Sequence, residues 1–494
     1  MKRAVLASVL LAACAGDGTL DFKPVIEGPI TEDSDALAFP VIDEFDLSVA
    51  NEGDSGDIVS NRFKPGDDVS LVGIPFGDHL VMHASGARVD LPVAYGRTCG
   101  FSLAAGAPPP APHLFFSRTA KFATFDAGDG NDGIASPIPR LDGTALNYLG
   151  SALLIGGTNP ESNVPEMYEP STGVLTRMAP VRPRIGAIAA LVGSPAQPKI
   201  LLIGGTELGS PTTFYELIDP TAVDATNQVT RTPDVHFSRN GLTATTLSDG
   251  RVVVVGGASA TQPVSSDIYQ VTLEDVDVRI EQEASLVHAR TGHTATPLGS
   301  SIGAPVLIAG GTDGVSATPV DVAELYKPLQ GTLADPATFA PVMKHPRTRH
   351  QAVRMADDSV LFIGGVDASG TPVRALERFT LEEGFTDLAD EQGHPVSLEP
   401  SFGVIGINVT KLPDDRVLLT GGQADTNGPS VLTALLLRLD PLTGTIDLVP
   451  TDSLQFARTN HQATVMCDGT VLISGGNPAG IKLERYNPPA TGRR

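Results

Sequence analysis

"RTRHQAVRMADDSVLFIGG", Arg347–Gly365, joins an Arg-x-x-His-x-Ala opening to an aliphatic strand that stops on two glycines. The same order recurs along the chain. Arg290-Thr-Gly-His293-Thr-Ala295 stands before "APVLIAGG", Arg458-Thr-Asn-His461-Gln-Ala463 before "GTVLISGG", and Arg239-Asn-Gly-Leu242-Thr-Ala244 before "RVVVVGG". Looser copies are Arg184-Ile-Gly-Ala187-Ile-Ala189 and Arg140-Leu-Asp-Gly143-Thr-Ala145. A seventh strand, "RVLLTGG", ends at Gly421–Gly422, but its upstream strand has lost the Arg; Ser401 or Val404 stands in its place. The second glycines fall at 157, 205, 257, 311, 365, 422 and 476, at intervals of 48, 52, 54, 54, 57 and 54 residues. A fixed period near ~50 residues marks stacked supersecondary units, each too small to bury its apolar face alone.

Within each period a short small-residue strand is followed by a turn such as "SDGR", "CDGT", "ADDS" or "PDDR", as a hairpin requires. The aliphatic strand and its glycines come next. A third strand carries Glu166-x-Tyr168-x-Pro170, Glu324-x-Tyr326-x-Pro328 or Glu484-x-Tyr486-x-Pro488, with looser copies at Asp267-Ile-Tyr269 and Glu377-Arg-Phe379. A fourth strand closes the period, and four antiparallel strands per period is the pattern of a propeller blade. Together the double glycine, the Arg-x-x-His-x-Ala before it and the Glu-x-Tyr-x-Pro after it resemble the kelch repeat, over about 70% of the chain. The resemblance implies an all-β fold: a seven-bladed kelch-type β-propeller over residues 140–488. One departure is the absence of Trp, which kelch blades usually carry on the fourth strand. The last unit supplies three strands and then "PPATGRR", so a segment N-terminal to Arg140 is expected to complete it, since a bare edge strand is a liability.

The chain has 494 residues and a formal charge of −23, which argues against nucleic acid and an anionic membrane surface as partners. It opens "MKRAVLASVLLAACAGDG". Two basic residues, an apolar run too short to span a bilayer, and Leu11-Ala12-Ala13-Cys14 resemble a bacterial lipoprotein signal, residues 1–13, with its lipobox. That resemblance implies a lipidated Cys14, a stable multi-chain anchor and a place in the cell envelope, with Ala15 after the Cys pointing to the outer membrane. Residues 14–60 are acid-rich and read as a flexible tether. Residues 61–135 carry short apolar runs between Gly and Pro signals and read as a small β-sandwich-like module before the propeller.

Three groups of residues could carry function. Arg140, Arg184, Arg239, Arg290, Arg347 and Arg458 each start the innermost strand of a unit and so lie around one face. Either they pair between units with the Glu of Glu-x-Tyr-x-Pro, or with a turn carbonyl, or they form a ring of guanidiniums that makes this the ligand face. His293, His350 and His461 share one repeat position; lying around a circle, they need not converge on a metal, and no metal or other cofactor is expected. After Cys14, two cysteines remain, Cys99 and Cys467, and an oxidising compartment makes them a candidate disulfide. Galactose oxidase shares the kelch fold and holds copper on Tyr, His and a Cys-crosslinked Tyr. Neither remaining Cys lies in such a constellation, and no G-x-S-x-G, H-E-x-x-H or P-loop occurs. The expectation is a monomeric, envelope-anchored, non-catalytic module for a protein or glycan ligand. The alternatives are a copper-type oxidase or hydrolase with its site at the mouth, and a structural scaffold.

Overall fold

The structure is a computed structural model. It describes residues 19–489 except 30–33, 55, 107–110, 125–126, 129–133, 136, 159, 208, 260–262, 316–317 and 478–481. Cys14 and its lipobox lie outside the described residues.

The described residues are all-β; their helices are three short 3-10 turns. Each unit forms one antiparallel sheet in simple strand order, so the arrangement is propeller-like. Unit 5 shows the pattern: Gln351–Arg354, Val360–Ile363, Glu377–Thr380 and Gly384–Asp387, each paired to the next. Six sheets have four strands; that of unit 1 gains Ala127–Gly128 and Ile134–Ala135 at its outer edge. The sheet of unit 7 takes its fourth strand from far upstream. Lys121–Thr124 pairs antiparallel with Glu484–Asn487, in the register Lys121↔Asn487 to Thr124↔Glu484.

The second strands explain why "VLFI" and its copies are apolar at every position. Alternate side chains of a strand point to opposite sheet faces, and here both faces are covered. In unit 1, Leu153 and Ile155 pack with Ile200 and Leu202 of unit 2, while Ala152 and Leu154 pack with Met466 and Leu472 of unit 7. The core is therefore distributed. One apolar cluster lies between each consecutive pair of units, and the one joining units 7 and 1 also takes in Ala36 and Phe115 from the N-terminal region. The first strands run side by side from unit to unit, and Gln462–Val465 of unit 7 lies beside Thr144–Tyr148 of unit 1.

The N-terminal region departs from its expected boundaries. Within 14–60, whose acidity predicts a flexible tether, Thr19–Phe22, Val25–Glu27 and Glu44–Asn51 are strands. Glu44–Asn51 lies inside a sheet, between Gly77–Arg88 and Val59–Phe63. Its acids alternate with Phe45, Leu47 and Val49, which are buried, so the charges sit on one face and the core on the other. Among the described residues the module thus reaches back to Thr19, and its strands share one apolar cluster. Lys121–Thr124, Ala127–Gly128 and Ile134–Ala135, placed in that module by composition, are instead outer strands of units 7 and 1.

The module is fastened to unit 7. Cys99 and Cys467 are disulfide-bonded, with Cα atoms 5.0 Å apart and 368 residues between them in sequence. The Asn487 amide donates to the carbonyls of Tyr95 and Ser117 at 2.7 and 3.0 Å. Arg485, fully buried, pairs with Asp468, donates to Tyr168 Oη and lies over the Phe115 ring at 4.2 Å.

Candidate functional site: the loops that open the first strands

The six repeat arginines come to one end of the sheets, but they do not present a cationic face. Arg184, Arg290, Arg347 and Arg458 are fully buried, Arg140 nearly so, and Arg239 half-buried. Each is held within its own unit. One Nη donates to the carbonyl of the first glycine of the pair: Gly156, Gly204, Gly256, Gly310, Gly364 or Gly475, at 3.0–3.5 Å. The other donates to the acid that starts the third strand: Glu166, Glu216, Asp267, Glu324, Glu377 or Glu484, at 2.5–3.2 Å. The glutamates also accept backbone N–H groups just upstream of their own Arg, as Glu377 does from Lys344 and His345. Burial lowers the guanidinium pKa of Arg140, Arg184, Arg290, Arg347 and Arg458, and the paired carboxylate opposes that shift. The anion-binding ring is therefore corrected: these cations are neutralised in place, within a unit rather than between neighbours.

Unit 6 supports this role by losing both partners together. Val404 takes the Arg position, since its carbonyl accepts from Gly365 N just as the Arg carbonyls do elsewhere. Leu435 takes the Glu register opposite Leu419. Both belong to one apolar cluster. An ion pair has been exchanged for two apolar side chains at the same positions, a swap that buried ion pairs tolerate.

One bond repeats at every seam. The N–H of the second glycine donates to the Arg (or Val404) carbonyl of the next unit at 2.8–3.3 Å, and Gly476 donates to Arg140. The first glycine is crowded by the same neighbour. Gly310 has φ +65°, and a Cβ there would lie 2.6 Å from Arg347 O and 2.5 Å from His350 Cε1. Only a residue without a side chain fits both demands.

The three histidines are wedges between units, not a metal ring. His293 and His350 bond through Nε2 to Thr243 and Thr294 of the preceding unit at 3.1 and 2.9 Å, and His461 to Thr420 at 2.8 Å. Their Nδ1 atoms are buried without a partner. Burial, aided by the nearby Arg, pushes all three down to about 3. They are neutral imidazoles, and no group of three metal-ligating residues occurs among the described residues.

What remains open at this end are the residues one and two places after each Arg position. The second of these is left-handed in every unit: Asp142, Gly186, Gly241, Gly292, Arg349, Gly406 and Asn460. Four are glycine; the other three project side chains. Arg349 is exposed, and no partner for its guanidinium is present among the described residues. Sequence reasoning missed it because it belongs to no repeat consensus; a bulky residue at φ +56° is the structural signal. Between units 7 and 1, where Gly143 stands in the histidine position, a notch of about 10 Å³ is lined by Gly143, Thr144, Asn460, Gln462 and Gly475. It has room for about one water molecule.

No protein-family model matches the chain, and no curated protein matches it. A solved structure described as "Structure of YjhT" is similar at 15% identity and a TM-score of 0.44, over 60% of this chain and 92% of that one. A likeness at that level carries no argument about this chain.

Proposed function

We propose that residues 140–488, with Lys121–Thr124, form a closed seven-bladed propeller of the kelch type. In this reading the propeller is a non-catalytic binding module for an envelope protein or glycan, anchored through a lipidated Cys14. Seven double glycines, seven inter-unit apolar clusters and the Gly476–Arg140 bond support the ring. The single observation behind the binding role is that the repeated Arg, acidic and His side chains are engaged inside a unit or a seam. Specific recognition then falls to the non-repeated residues at the open end. The N-terminal module is fastened at the opposite end of the sheets, through the turn bearing Cys467 and the end of the strand bearing Asn487, so this end is left to a ligand.

The test uses the full chain carrying Cys14→Ser, purified and used as bait in envelope extract. Captured material that is lost on Arg349→Glu and Asn460→Lys, with the melting temperature unchanged, is the expected result. Capture indifferent to both changes overturns the reading. Intact mass of the wild-type chain reports on the anchor: an unmodified Cys14 thiol removes it.

A further inference from the structure

The seams of the open end are not all stitched alike. At the seams between units 3 and 4, 4 and 5, and 6 and 7, three kinds of bond coincide. A Thr hydroxyl reaches back to carbonyls of the preceding unit: Thr291 to Asn240 and Gly241, Thr348 to Gly292, Thr459 to Ile405 and Gly406. The next backbone N–H does the same, Gly292 to Gly241, Arg349 to Gly292 and Asn460 to Gly406, each at 2.9 Å. The histidine wedge follows. All three are absent among the described residues at the isolated seam between units 5 and 6, where the triplet is Ile405-Gly406-Ile407, and at three consecutive seams, from unit 7 through units 1 and 2 to unit 3. The corresponding triplets are Leu141-Asp142-Gly143, Ile185-Gly186-Ala187 and Asn240-Gly241-Leu242.

We infer that the ligand of this end is an extended polypeptide segment lying across units 1 to 3, where unstitched seams follow one another without a break. The inference rests on the binding role proposed above and deepens it. The N–H groups of Asp142 and Gly186 and the Gly186 carbonyl have no protein partner, unlike their counterparts at the stitched seams. A peptide main chain carries the matching donors and acceptors at close spacing, the mode by which strands are recognised through their backbone. Ile185, 40% exposed, offers an aliphatic contact, and Asn240, exposed beside Gly186, a neutral amide. None of the nine triplet residues is aromatic, which removes the ring stacking that sugar recognition favours and directs the choice to peptide over glycan.

A random 12-residue peptide library displayed on phage is panned against the full chain carrying Cys14→Ser, and enriched peptides are measured by fluorescence anisotropy. The expected result is at least tenfold weaker binding for Ile185→Asp, and for Asn240→Ala should Ile185→Asp melt early. Gln351→Ala, exposed in unit 5, should change binding less than twofold. Peptides sensitive to Arg349→Glu and Gln351→Ala but not to Ile185→Asp or Asn240→Ala overturn the placement across units 1 to 3 and leave the binding end standing. No enriched peptide, with binding on a glycan array, overturns the polypeptide and keeps the binding role. Peptides indifferent to all four changes overturn both.

Discussion

Arg347 and Glu377 meet through Nη2 and Oε2 at 2.7 Å with both side chains fully buried, and they belong to the same sheet. The pair joins the start of the first strand to the start of the third. Removing one partner orphans a charge away from water. Arg347→Ala should cost about 3–5 kcal/mol in denaturant unfolding. Arg347→Val with Glu377→Leu, which copies Val404 and Leu435, should recover most of that loss. A double variant no more stable than the single one would mean that the ion pair itself, not its neutralisation, holds the unit.

The histidine wedges predict acid sensitivity. Their folded pKa of about 3 lies below the unfolded value near 6.5, so the unfolded chain binds more protons in between. Their contribution is complete above pH 6.5 and is lost as pH falls toward 3. Three such groups make stability fall by up to about 4 kcal/mol per pH unit in mid-window. His350→Leu should reduce that slope by about a third while leaving stability at pH 7.5 nearly unchanged, because Leu242 already sits on Gly204 as His350 sits on Gly310. An unaltered slope in proton uptake on unfolding would refute the assignment.

The Cys99–Cys467 bridge should be worth about 2–5 kcal/mol, as loop-closing disulfides commonly are. Reductant should lower the guanidinium midpoint of the wild-type chain. Cys99→Ser should show the lowered midpoint from the start and no response to reductant. Equal midpoints with and without reductant would show that the module is held by Arg485 and Asn487 alone.

Phe122 packs on Tyr486 with ring centroids 4.5 Å apart and is fully buried in the cluster between units 6 and 7. Phe122→Ala should destabilise by about 3–5 kcal/mol. Hydrogen exchange should localise the loss to Glu484–Asn487 and Val471–Ser474, its partners in the sheet. Protection lost only in residues 121–124 would mean that the upstream strand is an accessory.

The sheets could be read from the chain because a 54-residue spacing of "VLFIGG"-like strands leaves few other ways to bury both of their faces. The fate of the arginines could not. Their position at the head of the first strand is compatible with exposure or burial, and only the register that sets Glu377 opposite Phe362 decides. The acidic start misled for a related reason: alternation in Glu44–Asn51 is a period-2 signal, and composition averages it away. The stitching was written in the triplets all along, as Thr-Gly-His, Thr-Arg-His and Thr-Asn-His against Leu-Asp-Gly, Ile-Gly-Ala, Asn-Gly-Leu and Ile-Gly-Ile. Its meaning depends on which carbonyl the Thr reaches.

Lys121–Thr124 and Glu484–Asn487 share a sheet although some 360 residues separate them. During synthesis the upstream strand emerges early and waits, unpaired, while six units are made. Loop closure over that distance is slow, so the last sheet sets the pace of assembly and its joining is the final step. The waiting edge is also where a nascent chain would aggregate, which makes a holding chaperone most valuable in that interval. Once joined, the last sheet ties a strand from near the start of the chain to its final unit, so the two ends of the chain are expected to unfold together.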